Sequence, residues 1–259
     1  MAASHRQLKK LLLCALCGSA VEILFWTRLT DDFSEERIVQ IEEGLYAYLW
    51  QNAYENNCNI YVIRKDLTVL IDPGHSRHLG GVLSQMEGDG IPPDGIDLIL
   101  ITHSHPDHFE GVEAFLDKPV RIAMAKDEEA YLTGSGKFLF DAMNQPLPPF
   151  RVDFHLKEGK LHLGRESFDV FQTPGHSPGS LCIYWPDRKA LFTGDVIFYG
   201  GIGRTDFMEG DAQALKRSIE RMSHLDTALL LPGHGEIVSG KAKVLQNYQF
   251  IRQNFYSYL

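Results

Sequence analysis

The chain has 259 residues, 44% hydrophobic and 23% charged, with 23 Gly and 12 Pro; a disordered chain, a collagen-like repeat and a coiled coil are excluded by that composition. Lys and Arg number 25 against 34 Asp and Glu, a formal charge of −9, and a field of that sign repels a phosphate backbone, which disfavours nucleic acid as a partner. Four cysteines in a chain this long make no disulfide framework.

Residues 1–38 stand apart as an N-terminal extension. Lys9 and Lys10 precede an apolar run over 11–21, and Glu22 interrupts it before Ile23, Leu24, Phe25 and Trp26. The run is short of the about 20 apolar residues that cross a bilayer. Its basic start and the small residues Gly18, Ser19 and Ala20 fit a secretory signal, whereas Glu22 and the bulky Phe25 and Trp26 fit a helix packed on the body or on a partner chain. A cytoplasmic protein is the expectation, with export or membrane anchoring through residues 1–26 as the alternative. Cys14 and Cys17 form a CxxC pair without two further zinc ligands or a preceding strand, and read as structural thiols. Cys58 and Cys182, in apolar runs, read as buried filler.

Residues 39–259 read as one α/β domain, because strand and helix patterns alternate without linker or repeat. Strands are predicted over 38–50, 58–63 and 67–71, the last ending at Asp72, Pro73 and Gly74. A helix is predicted over 77–86, a strand over 97–102, helical spacing over 109–116, and a strand over 120–125. Residues 133–151, with Gly134, Gly136 and a proline cluster, read as a long surface loop that could place Phe138, Phe140, Met143 and Phe150 against a substrate. Short strands near Phe168, Leu181 and Ala190 follow, then a helix over 211–223, a strand over 228–231 and a last helix from Lys241.

Four apolar strands each run into a side chain that can bind metal: His103, His176, Asp195 and His234. Ligands in open α/β folds gather where strand ends meet loops, and the glycines before His176, Asp195 and His234 let the backbone turn sharply. The densest stretch is His103-Ser104-His105-Pro106-Asp107-His108. In extended chain His103 and His105 point the same way, while Pro106 starts a helix whose first turn holds Asp107 and His108. Imidazole and carboxylate suit zinc and also iron or manganese. His75 and His78 read as surface or site-wall residues, and Asp72 as either a turn residue or a carboxylate supporting the ligands.

The HxHxDH motif at 103–108, followed by His176, Asp195 and His234, resembles the metallo-β-lactamase superfamily over residues 39–255. The resemblance implies an αββα four-layer sandwich, two mixed β-sheets flanked by helices, with two divalent metal ions at one edge, zinc first and iron or manganese as alternatives. By motif position His103, His105 and His176 would hold one ion and Asp107, His108 and His234 the other, with Asp195 bridging and Asp72 orienting the ligands. A metal-bridging hydroxide would then attack the substrate, and Asp107 could orient it or take its proton. The run Gly200-Gly201-Ile202-Gly203-Arg204-Thr205-Asp206-Phe207 resembles the loop of glyoxalase II-like hydrolases, which implies that Arg204 contacts a substrate carboxylate. An internal Arg204–Asp206 bridge is the alternative reading of that pair. Asp206 stands where that subgroup carries an aromatic hydroxyl, and a C-terminal helical domain completing a glutathione site is not expected after His234.

The implied activity is hydrolysis of a small thioester or ester. The same loop also resembles persulfide dioxygenases with one iron, and lactonases share the ligand set. A non-catalytic metal-binding or partner-docking protein is the remaining class. Small-molecule substrates are expected, with no nucleic acid, no membrane contact by the catalytic domain, and a possible homodimer.

Overall fold

Most strands of this chain are apolar on both faces, so each must be covered twice. The computed structural model describes residues 40–52 and 54–259; the expectations for residues 1–38, including Cys14 and Cys17, lie outside them. The first sheet holds β1 (Gln40–Glu42), β2 (Leu45–Tyr48), β3 (Ile60–Arg64), β4 (Thr68–Ile71), β5 (Leu98–Leu100), β6 (Arg121–Ala125) and β7 (Phe154–Leu156), in that order. Strands β1 to β4 pair antiparallel and β4 to β7 parallel. The parallel crossovers carry α1 (Ser76–Gly88), α2 (Pro106–Phe109), α3 (Lys126–Thr133) and α4 (Phe138–Ala142).

The second sheet is built from β8 (Gly159–Leu163), β9 (Glu166–Gln172), β10 (Leu181–Trp185) and β11 (Ala190–Gly194). A two-stranded ribbon, β12 (Ile197–Phe198) and β13 (Gly201–Ile202), then leads to α5 (Ala212–Met222). Strands β14 (Leu229–Pro232) and β15 (Val238–Ser239) complete the second sheet in the order β15-β14-β11-β10-β9-β8, and α6 (Lys241–Asn254) ends the chain.

Side-chain alternation divides these strands between three cores. Ile63, Val69, Leu100 and Ala123 of the first sheet meet Leu181, Ile183, Phe192 and Leu231 of the second in a central core. The alternate residues Val62, Leu70, Ile99 and Ile122 pack outward with Leu79 and Met86 of α1. On the far side Cys182, Leu191 and Leu230 pack with Leu215 and Ile219 of α5 and Ile251 of α6. Helix, sheet, sheet and helix therefore form four layers, the αββα sandwich. Asp211 caps α5 by accepting the Ala214 amide at 2.9 Å, an arrangement that stabilises a helix by ~1 kcal/mol.

Three local expectations need correction. The 38–50 strand is a hairpin broken at Gly44, whose φ of +76° suits glycine. The helical spacing over 109–116 belongs to the four-residue α2 followed by a 3-10 turn, Glu110–Phe115. Residues 133–151 are no plain loop: a 3-10 turn and α4 fold there because Leu139 and Phe140 are buried, Phe140 in the core beside α1. Phe150 packs on Phe109 and Met143 is exposed, so of the four side chains only Phe138 approaches the site region, 6.2 Å from Phe207. Cys58 and Cys182 are buried free thiols. No helix among the described residues is long and apolar enough to cross a membrane.

Candidate metal centre

Strands β5, β9, β11 and β14 lead into the turns that carry His103, His176, Asp195 and His234. Close packing at those turns requires glycine. A Cβ on Gly233 would lie 2.4 Å from Asp195 Oδ1, and one on Gly175 would lie 2.2 Å from the Leu215 amide at the start of α5. Helix α5 also braces this second turn, since Ser218 Oγ donates to the Pro174 carbonyl at 2.8 Å.

All seven side chains singled out from sequence come together at this edge. His103, His105 and His176 form one group and Asp107, His108 and His234 another, each with its ligand atoms within 4.8 Å of one another. Asp195 stands between them. Its Oδ2 lies 3.9 Å from His103 Nε2, 3.6 Å from His176 Nε2 and 3.4 Å from His234 Nε2, while its Oδ1 lies 3.1 Å from His108 Nε2. The Nε2 atoms of His103, His105 and His176 are buried and have no hydrogen-bond partner. Buried polar atoms are ordinarily paired, so three unpaired nitrogens converging on one point fit a metal ion.

The remaining ring nitrogens fix the tautomers. Thr102 donates its amide to Asp72 Oδ1 at 2.8 Å and its hydroxyl to Asp72 Oδ2 at 2.6 Å. With that hydrogen spent, Thr102 Oγ1 accepts from His103 Nδ1 at 3.1 Å. His108 Nδ1 donates to Asp72 Oδ2 at 2.9 Å, and His176 Nδ1 donates to the Arg204 carbonyl at 2.7 Å. In each ring Nε2 is left free to ligate. Asp72 adopts φ 54°, a left-handed conformation that short polar residues tolerate, and from that turn its carboxylate accepts from both Thr102 and His108.

The two groups differ in charge. Burial, aided by the His108 and His105 rings, holds His103 well below the ordinary imidazole range, and burial with His176 beside it pushes His105 down to about 3. Neutral imidazole is the ligating form. Burial opposes charge on His108 and His234 as well, but the Asp195 carboxylate outweighs it, helped by Asp72 and Asp107. His108 is raised well above its usual range and His234 to about 10. Burial likewise works against the carboxylates. The His234 hydrogen bond and the His108 charge nevertheless hold Asp107 low, and the charges of His234 and His108 hold Asp195 well below the usual range.

Several site residues escaped the sequence reading. Asn56 Nδ2 donates to Asp107 Oδ2 at 2.6 Å, and Thr102 couples Asp72 to His103. Phe207 packs edge-on to His105 with ring centroids 5.4 Å apart. A polar cluster, Asn56-Asn57-Cys58-Asn59, was the one visible signal for the first. His75 is fully buried against Glu110, its Nδ1 3.0 Å from Oε2, so it is not a surface residue; His78 stacks on Trp50. Arg204 is engaged within its own loop, with Nε and Nη2 each 2.6 Å from the Asp206 carboxylate and Cζ 3.9 Å from the Phe207 ring centroid.

A probable metallo-hydrolase of Methanocaldococcus jannaschii is 32% identical over 72% of this chain and 91% of its own length. A hydroxyacylglutathione hydrolase of Haemophilus influenzae is 30% identical over 71% and 87%. A protein solved in a di-iron-bound form superposes with a TM-score of 0.61 at 30% identity, over 78% of this chain and 95% of that one. The model of the metallo-β-lactamase superfamily matches residues 53–234, a span that contains every residue of the site just described, and the chain belongs to that superfamily.

Proposed function

We propose that the protein is a dinuclear metal-dependent hydrolase of small thioester or ester substrates, glyoxalase II-like in its chemistry. The position of Asp195 carries this reading: one carboxylate faces the unpaired nitrogens of the first group through Oδ2 and His108 of the second through Oδ1. Its similarity to a hydroxyacylglutathione hydrolase supports a thioester substrate. In this reading His103, His105 and His176 would hold one ion and Asp107, His108 and His234 the other, with Asp195 available to both. Bound there, two divalent cations would supply a nucleophilic water near neutral pH and an electrophile for the scissile carbonyl.

The chain supplies orientation. Asp107 Oδ2 lies 3.1 Å from His234 Nε2 and accepts from Asn56, which holds the carboxylate in one orientation beside the second group. Phe207 and Phe138 form an apolar wall beside His105. Arg204 meets an anionic part of the substrate by exchanging Asp206 for it.

Elemental mass spectrometry on protein purified without added metal, followed by thioester and lactone panels, tests this. Close to two equivalents of metal with thioester turnover is the expected result. One equivalent of iron with oxygen uptake on a persulfide would replace it with a dioxygenase, and full metal loading without turnover on any of these would leave a binding protein.

A further inference from the structure

The first group of imidazoles is assembled from two loops, one carrying His103 and His105 and the other His176. Between them stands Glu128, in the first turn of α3 and fully buried. Its Oε1 accepts the Ser104 amide and the Ser104 hydroxyl, both at 2.7 Å. Its Oε2 accepts the Ser177 hydroxyl at 2.7 Å and the Gly179 amide at 2.9 Å. Ser104 lies between His103 and His105, and Ser177 follows His176 directly. The second loop can come this close because position 179 lacks a side chain: a Cβ there would lie 2.3 Å from the Glu128 amide nitrogen. The hydroxyl hydrogens run one way, with Ser180 Oγ 2.6 Å from Ser177 Oγ to complete the chain.

We propose that Glu128 is a positioning residue that locks these two loops in register and thereby sets the metal affinity of the His103, His105 and His176 group. The inference rests on the reading of that group as a metal site. An amide can only donate, and each Glu128 oxygen faces one amide, so both oxygens are required as acceptors. A glutamine of the same shape turns its NH₂ toward one of those amides, loses that amide's hydrogen bond and keeps that loop only through a reversed serine hydroxyl. A loop loosened in this way moves its imidazoles relative to the others, and groups that orient ligands are worth about 10–100-fold in metal affinity. The second group does not touch Glu128: its partners are Asp72, Asp107, Asn56 and Asp195.

Stepwise zinc and cobalt(II) titrations on full-length protein, against a chromophoric chelator, distinguish this role from general support of the fold. Glu128→Gln should weaken one of the two binding steps about 10–100-fold, the same step that His105→Ala removes, and should change the cobalt absorption band of that site alone. Ser104→Ala and Ser177→Ala, each cutting one hydroxyl from a different loop, should weaken the same step by less. Equal weakening of both steps, or none, overturns the proposal. If Glu128→Gln does not fold, the two serine variants decide it by the same criterion. A parent protein that binds no metal removes the underlying site as well, whereas normal loading in every variant removes only the role of Glu128.

Discussion

Thr102 gives both its amide and its hydroxyl hydrogen to Asp72, at 2.8 and 2.6 Å, and in doing so turns its own oxygen toward His103. One hydroxyl therefore links the orientation of His103, in the first group, to the carboxylate that orients His108, in the second. Thr102→Val keeps the shape and removes that link. A buried charged acceptor left short of a partner costs about 1–3 kcal/mol, so the metal-free melting temperature should fall by several degrees. Metal affinity should fall for both groups, unlike Glu128→Gln, and a chelator titration showing loss at one group alone would contradict the shared role.

His105 Nε2 has no protein partner, so His105→Ala removes no hydrogen bond made by that atom. Its metal-free melting temperature should fall only by what the lost packing on His176 and Phe207 costs, and by less than in Asp195→Ala. Hydrolysis should be abolished. Asp195→Ala should also be inactive but should melt lower without metal, because His108 and His234 lose their counter-charge. Circular dichroism melts of chelated protein beside turnover assays separate the two. Activity retained in metal-free His105→Ala would contradict the mechanism.

The ligand-bearing turns were legible in sequence because each follows an apolar run, buried on both faces in β5, β11 and β14, and because a glycine stands directly before His176, Asp195 and His234. Helices α5 and α6 were legible for a similar reason, one with a clear N-cap and both with definite starts. Strands β7 and β8 were not: they lie at sheet edges, much of β8 is exposed, and the alternation that marks a strand is weak there. The supporting residues were illegible for a different reason. Asn56 meets Asp107 across 51 positions and Glu128 meets Ser177 across 49, and no local period encodes such pairs. Asp72 was half legible, since its place after β4 suggested a turn while its partners come from β5 and α2.

Metal uptake should depend on pH with a definite sign. In metal-free protein His234 is raised from 6.5 to about 10 and His108 is shifted in the same direction, so the proton favoured on His234 at neutral pH must leave before that ring ligates. Affinity of the second group should rise as pH rises and uptake should release protons into solution. The first group, with His103 and His105 held low, should show the weaker dependence. The stability of metal-free protein carries the opposite sign: the His234 contribution is complete below about pH 6.5 and is lost as pH rises through about 10. Asp107 and Asp195, held low, contribute above about pH 3.8 and lose that contribution as acid protonates them. Zinc titrations between pH 6 and 9 in two buffers of different ionisation enthalpy measure the released protons; uptake without proton release would contradict the assignment.

Gly233 packs where a methyl group would sit 2.4 Å from Asp195 Oδ1 and 2.6 Å from His108 Cε1, both buried. Neither neighbour can swing into solvent, so Gly233→Ala should displace Asp195 and cost metal and activity together. Gly80→Ala is the contrast, with open space around the added Cβ on an exposed turn of α1. It should raise stability by about 0.5–1 kcal/mol through helix propensity and leave turnover unchanged. Equal loss of activity in both would point to general sensitivity to substitution.

Arg204 and Asp206 are both exposed, and an exposed pair contributes little to the fold. What the pair does instead is occupy the guanidinium fork beside Phe207, which itself packs on His105. A substrate carboxylate competes with Asp206 for that fork, so Asp206→Asn should lower KM for anionic thioesters and leave neutral ones unaffected. Arg204→Ala should raise KM for the anionic substrates more than it lowers kcat, because the His176 contact is made by the Arg204 backbone carbonyl and survives the substitution. An unchanged KM in both variants would confine the pair to shaping the loop, and a fall in kcat alone would place the effect on His176.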